Sequence, residues 1–149
     1  MTAKADYAVR AAVELAGAGE GPVKAEQIAE AQGIPLNFLE NILAELRRSG
    51  IVESRRGAAG GYLLARPPDQ VSLADIIRAV EGPLANVRGI SPDELEYPGA
   101  TRQLRDVWVA LRASVRSVLE QVTLADVARG ELPPHVVELT QEPDAWSRR

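Results

Sequence analysis

The sequence predicts a mainly α-helical chain interrupted by one small β-hairpin. Three observations carry that expectation. Aromatic residues make up only 4% of the 149, and Ala, Leu and Val dominate an apolar set of 46%, a composition that favours helices over sheet. Apolar residues recur at three- and four-residue spacing in several separate stretches. Between two of those stretches, a pair of short strand-like segments flanks a glycine-rich run.

Residues 3 to 16 carry the first helical stripe: Ala5, Ala8, Val9, Ala12, Val13 and Ala16, ended by Gly17, Gly19, Gly21 and Pro22. Residues 24 to 32 give a short second helix with Ile28 and Ala29 inward and Gly33 just past its end. Pro35 suits the first turn of a third helix, where its missing N–H costs nothing. Leu39, Ile42, Leu43 and Leu46 follow on one face, and Gly50 closes it. Two short helices joined by Gly33-Ile34 have the layout of a helix-turn-helix.

Ile51–Arg55 and Tyr62–Ala65 are β-permissive and flank Arg56-Gly57-Ala58-Ala59-Gly60-Gly61, which makes a hairpin with an arginine-flanked tip. A hairpin directly after a helix-turn-helix is a wing. Pro67-Pro68 breaks the chain, and Val71 is placed to pair briefly with the wing sheet. Ser72-Leu73-Ala74-Asp75 reads as a capping box opening a helix with Leu73, Ile76, Ile77 and Val80 on one face, closed by Gly82-Pro83.

Residues 84 to 100 are irregular, and a loop of that length in a small domain is often functional. Residues 102 to 122 form the longest expected helix, with Leu104, Val107, Trp108, Leu111, Val115, Val118, Leu119 and Val122 in one stripe. A stripe that long needs a large surface to cover it, and a second copy of the chain is the economical partner. Thr123-Leu124-Ala125-Asp126 is a further capping box, and Gly130 ends its helix. From Glu131 an extended tail is expected.

The expected fold class is therefore mainly α: a winged helix-turn-helix with a small β-hairpin wing and a long C-terminal dimerisation helix. The division is a winged head at 1–83, a connecting loop with an effector role at 84–100, a dimerisation helix and short following helix at 101–130, and a tail at 131–149.

Composition excludes whole classes of chemistry. There is no cysteine and a single histidine, His135, so disulfides, thiolate zinc, Cys-ligated clusters and multi-histidine sites are out. No apolar run approaches the roughly 20 residues of a membrane helix. Asp6, Arg10 and Glu14 interrupt any leader-like stretch, so a cytoplasmic location is expected. Enzymatic function is not expected: no nucleophile–base pair is in view, and the glycines at 57–61 neither open a helix nor precede a Lys-Ser/Thr.

Charge is unevenly placed. The chain is −4 overall, yet Arg47, Arg48, Arg55, Arg56 and Arg66 lie within twenty residues that hold one acid, Glu53. A basic segment on an acidic body draws a polyanion to one face and repels it elsewhere.

Three stretches also resemble the IscR/NsrR/CymR family of bacterial winged-helix transcriptional regulators. They are Ala3–Arg10, the run Asn37–Leu43 with Leu46–Val52, and the wing Arg55–Leu64; Val71–Ile77 and Val122–Val127 look alike too. The resemblance implies a homodimer on a pseudo-palindromic operator, acting as a repressor. The helix starting near Pro35 would enter the major groove, the wing would reach the minor groove, and the 102–122 helix would join the protomers. By position, Asn37, Phe38, Glu40 and Asn41 would face bases or nearby phosphates. Arg55, Arg56 and Gly57 would form the wing tip, and Lys4, Tyr7, Arg47 and Arg48 would hold phosphate. Phe38 reads equally well as packing against the second helix. Asp6 stands where relatives often carry a basic residue.

The main departure lies in the loop. Many members hold an iron–sulfur cluster there on three cysteines, and residues 84 to 100 contain none. No cofactor is expected. A small-molecule effector in a pocket near Tyr97 and Trp108 is one reading, and Trp108 as plain dimer core is the other. A second functional class also stays open: a winged-helix protein-interaction module that has lost specific DNA binding.

Overall fold

The computed structural model describes residues 1–148; Arg149, the last residue of the expected tail, lies outside the described residues. Seven helices and one hairpin follow the order α1 (Ala3–Gly17), α2 (Ala25–Gln32), α3 (Leu36–Arg48), β1 (Val52–Arg55), β2 (Gly61–Leu64), α4 (Leu73–Glu81), α5 (Leu104–Leu119), α6 (Leu124–Arg129) and α7 (Pro134–Thr140).

Helix α1 is the hub. Its Ala5, Ala8, Ala11 and Ala12 are fully buried, and this methyl-only face lets α2, α3, α4 and α6 close on it. The main core joins Ala8, Ala11 and Ala12 to Ile28, Leu39, Ile42, Leu43, Leu46, Val52, Val71, Ile76 and Leu124. Caps set the helix starts. The Thr2, Ser72 and Thr123 hydroxyls accept from backbone N–H groups of the first turns of α1, α4 and α6, and Asp75 and Asp126 complete two capping boxes. At α2, where Lys24 cannot accept, the Gln27 amide oxygen accepts from the Lys24 N–H at 3.0 Å.

The wing pairs Val52 with Leu64 through Arg55 with Gly61. Its outer edge is closed by Val23, which exchanges both backbone hydrogen bonds with Tyr62 at 2.7 and 2.8 Å. This corrects the expectation for Val71. The Val71 carbonyl accepts from Leu124 N–H instead, at 2.9 Å, while Leu73 N–H donates to the Val122 carbonyl. That exchange draws α6, which the sequence groups with the long helix, back onto α1.

Two expectations about the C-terminal part change. The long helix runs over 104–119, because a 3₁₀ turn at Gly99–Thr101 precedes it and the chain turns at Glu120 to reach α6. The tail is not extended: Pro133-Pro134 opens α7, whose Val136 is buried. The Trp146 indole N–H closes back on the Thr140 carbonyl at 2.6 Å. The loop before α5 holds a 3₁₀ turn at Pro92–Glu94 and buries Leu84, Pro92 and Leu95.

The wing turn depends on two glycines. A Cβ at Gly61 (φ 146°) would lie 2.5 Å from the Val23 carbonyl oxygen, and one at Gly60 would overlap the Arg55 carbonyl oxygen. Gly60 has no unusual φ, so Gly60→Ala isolates the steric effect. Thermal or denaturant unfolding of that variant should show a loss of about 2 kcal/mol or more, the cost of forcing backbone apart.

Candidate nucleic-acid interface

Helix α3 divides by its wheel. Leu39, Ile42, Leu43 and Leu46 are buried, and Asn37, Asn41 and Arg48 point the opposite way into solvent. Phe38 and Glu45 lie along the edge facing α1, and Glu40 and Arg47 along the edge facing the wing. The buried leucines thus fix which side chains the helix offers outward.

Polar contacts tie the neighbouring elements to that helix. Lys4 Nζ donates to Glu45 Oε1 at 2.9 Å across α1 and α3. Arg47 Nη1 donates to Ser54 Oγ at 3.3 Å, across α3 and β1. Tyr7 lies beneath the Arg10 guanidinium, 4.9 Å from its ring centroid. Arg10 also meets Asp6 at 3.1 Å and donates to the Gln32 carbonyl at 2.6 Å, pinning α1 to the end of α2. Arg56 and Gly57 are exposed at the hairpin tip. Arg55 instead borders a groove of about 740 Å³ with Leu15, Arg66 and Pro67, on the side of α1's C-terminal end.

The structure therefore gathers Lys4, Tyr7, Phe38, Asn41 and Arg48 around one groove of about 550 Å³. Asn37, Glu40, Asn41, Arg48, Arg55 and Arg56 make no side-chain hydrogen bond or ion pair among the described residues. Glu45 and Ser54, which position Lys4 and Arg47, carry no sequence signal. Their partners are distant in the chain or sit on another element.

The expected dimer stripe splits in two. Val115 and Leu119 pack on the chain's own cluster of Ala5, Ala74, Ile77 and Leu84. Val107 and Leu111 are 52% and 51% exposed, and no residue of α5 is buried. Leu104 and Val118 are half-buried, and Val118 lines a shallow groove with Val136 and Leu139 of α7. Val122 is corrected: it lies past the helix, only 3% exposed, where its carbonyl pairs with Leu73. It belongs to the chain's own interior.

The loop is pinned to α5 at two places. Trp108 Nε1 donates to Tyr97 Oη at 2.9 Å. Arg112 Nη1 donates to Ser91 Oγ at 2.7 Å and to Asp93 Oδ1 at 2.8 Å, while the Ser91 hydroxyl donates to the same carboxylate at 2.5 Å. A cavity of about 400 Å³ beside Tyr97 is lined by Leu95, Glu96, Arg102, Gln103, Arg105 and Asp106; Trp108 does not border it.

The Ser91 hydroxyl first, and the Arg112 guanidinium second, hold the Asp93 carboxyl well below the usual range, at about 2. A depressed carboxylate contributes its tie in full above the ordinary range and loses it as pH falls through the lowered value. An NMR titration should place the Asp93 midpoint at about 2. Ser91→Ala should raise it. A wild-type midpoint at the ordinary value of about 4 would remove the clamp from the account.

The family model Rrf2, described as iron-dependent transcriptional regulators, matches residues 1–130. The Mycobacterium tuberculosis protein Rv1287, named for a helix-turn-helix transcriptional regulator, is 56% identical over 143 residues, covering 95% of this chain and 89% of its own. The Bacillus subtilis transcriptional regulator CymR is 36% identical over 129 residues, covering 86% of this chain and 88% of its own. The structure of B. subtilis CymR, described as the global cysteine regulator, superposes with a TM-score of 0.75 at 35% identity, over 87% of this chain and 96% of that one. The structure of T. potens IscR gives a TM-score of 0.72 at 38% identity, over 87% and 86% of the two chains.

The iron in the family's description does not fit these residues. The loop has no sulfur donor, Asp93 is committed to Arg112 and Ser91, and His135 Nε2 lies 2.9 Å from the Ser117 carbonyl. Among the described residues no three His, Cys, Asp or Glu side chains come together as a metal site.

Proposed function

The chain belongs to the Rrf2 family of transcriptional regulators, and from that membership we propose that it is a homodimeric, cluster-free repressor of a pseudo-palindromic operator. In this reading residues 1–83 with α6 are the reading head and α5 joins two heads. The observation that carries it is the row of unpaired polar side chains on the outward side of α3, flanked by Lys4 and the Arg56 tip. A buried leucine face fixes the helix that carries that row, so binding has only side chains, and no backbone, to order.

Helix α3 enters the major groove, where Asn37 and Asn41 suit adenine and Glu40 suits the cytosine amine. Arg56 enters or borders the minor groove. Lys4, Arg47 and Arg48 hold phosphate, with Lys4 exchanging Glu45 for the backbone. The exposed Val107–Leu111 row supports α5 as the joint between protomers. Signal reception falls to residues 84–100, with the cavity beside Tyr97 as the place for a small polar effector. The competing role as a protein dock leaves the arginines around the wing without a purpose. The names of the relatives agree with a non-enzymatic role, and no helix of the described residues is long and apolar enough to cross a membrane.

Selection from random duplexes should recover a two-fold symmetric motif with half-sites about one helical turn apart. Arg56→Ala should weaken binding to that motif about tenfold and flatten its salt dependence. Recovery of no preferred sequence, or unchanged affinity in Arg56→Ala, would sink the proposal. In sedimentation, the wild type should run as a dimer and Leu111→Asp as a monomer. A dimer that survives Leu111→Asp would move the joint elsewhere.

A further inference from the structure

Phe38 is the only phenylalanine in the chain, and 63% of it is exposed. The other large apolar side chains exposed to this degree are at Met1 and Trp146, both away from α3. Phe38 stands in the first turn of α3, beside Asn37 and one turn before Asn41. Its ring forms one wall of the α1–α3 groove with Ala3, Tyr7 and Ile42, and Lys4 and Arg48 border the same groove.

That placement is chemically selective. The major-groove edges of adenine, guanine and cytosine offer hydrogen-bond donors and acceptors. Thymine alone adds an apolar group, its C5 methyl. A bare phenyl beside two amides therefore matches one base feature, and the amides match the adenine of a neighbouring pair. Lys4 and Arg48 supply cations for the phosphates of a strand lying along the groove.

We propose that Phe38 is a specificity-determining residue that recognises a thymine through its C5 methyl in each half-site. The inference rests on the DNA-binding reading above. Phe38 supplies an apolar surface and the thymine methyl leaves water against it. Asn37 and Asn41 fix the register by hydrogen bonding.

The test uses the full chain and the operator recovered from random duplexes. Each thymine is replaced singly by deoxyuridine, which removes the methyl and leaves every hydrogen-bonding atom in place. Affinity is read by fluorescence anisotropy at low salt, where weak variants still bind. One position per half-site should weaken the wild type about fourfold, the value of one buried methyl group. Phe38→Ala should bind the thymine operator more weakly and bind the thymine and deoxyuridine operators equally. Phe38→Leu, which keeps an apolar contact, should retain part of the discrimination. Matching melting curves for wild type and both variants establish that the exposed ring is not needed for folding.

The proposal is overturned if no deoxyuridine position weakens the wild type, or if Phe38→Ala shows the same fourfold response. It is also overturned if Phe38→Ala changes neither affinity nor that response, which would leave the ring to a protein partner. Failure of the underlying reading looks different: the wild type then enriches no duplex, and there is no operator in which to place deoxyuridine.

Discussion

The close approach permitted by the alanine face of α1 is the constraint on which the rest of the structure depends. Ala5, Ala8, Ala11 and Ala12 are fully buried, so the Leu and Ile side chains of α3, α4 and α6 close on a helix face that offers only methyl groups. Interiors this dense transmit strain and tolerate no added methylene cheaply. The orientation of α3 follows, because its leucine face has one place to go. Everything offered to a ligand on the outward side of α3 is set by that inward fit.

The same constraint explains what the sequence made legible. Helical stripes, capping boxes and the glycine-rich wing are local signals, and they place most helix starts within a residue or two. The elements that differ are those decided by distant contacts. Val71 and Val23 are both β-permissive, and only the packing of α6 on α1 assigns Val71 to Leu124 and leaves the wing edge to Val23. Helix α7 is short and opens on two prolines, a pattern that also fits an extended segment. The buried Val136 settles it as a helix. Val122 matches the stripe spacing, yet the chain turns before reaching it.

The candidate interface was legible as residue types and not as geometry. The arginine-rich segment is visible in the sequence, but its members part company in space. Arg47 is tethered to Ser54, Arg56 stands at the tip, and Arg55 and Arg66 border a groove behind the wing. The reason is that they sit on different elements: Arg47 on α3, Arg55 at the end of β1, Arg56 in the turn beyond it and Arg66 past β2. An electrostatic footprint counted along the chain thus overstates the charge available on one face. The Lys4–Glu45 pair lowers it further, since a phosphate must displace a carboxylate already in place.

The loop before α5 shows how this fold holds that segment with no cysteine in it. In the family this chain resembles, cysteine-held clusters tie that loop in many members. Here the ties are protein groups: Asp93 and Ser91 on Arg112, Tyr97 on Trp108, and the buried Pro92 and Leu95 beneath them. The Tyr97 and Ser91 ties are partly buried and the Asp93 tie is exposed; each is modest on its own, but they act on one short segment whose ends are already fixed by α4 and α5. Restricting such a segment needs little energy, because most of its closure entropy is lost once its ends are held. A cluster breaks in one step when its metal leaves. A set of small ties yields by degrees to whatever competes for Arg112 or Tyr97, and both lie where the loop meets the helix that spaces the two reading heads in the proposed dimer.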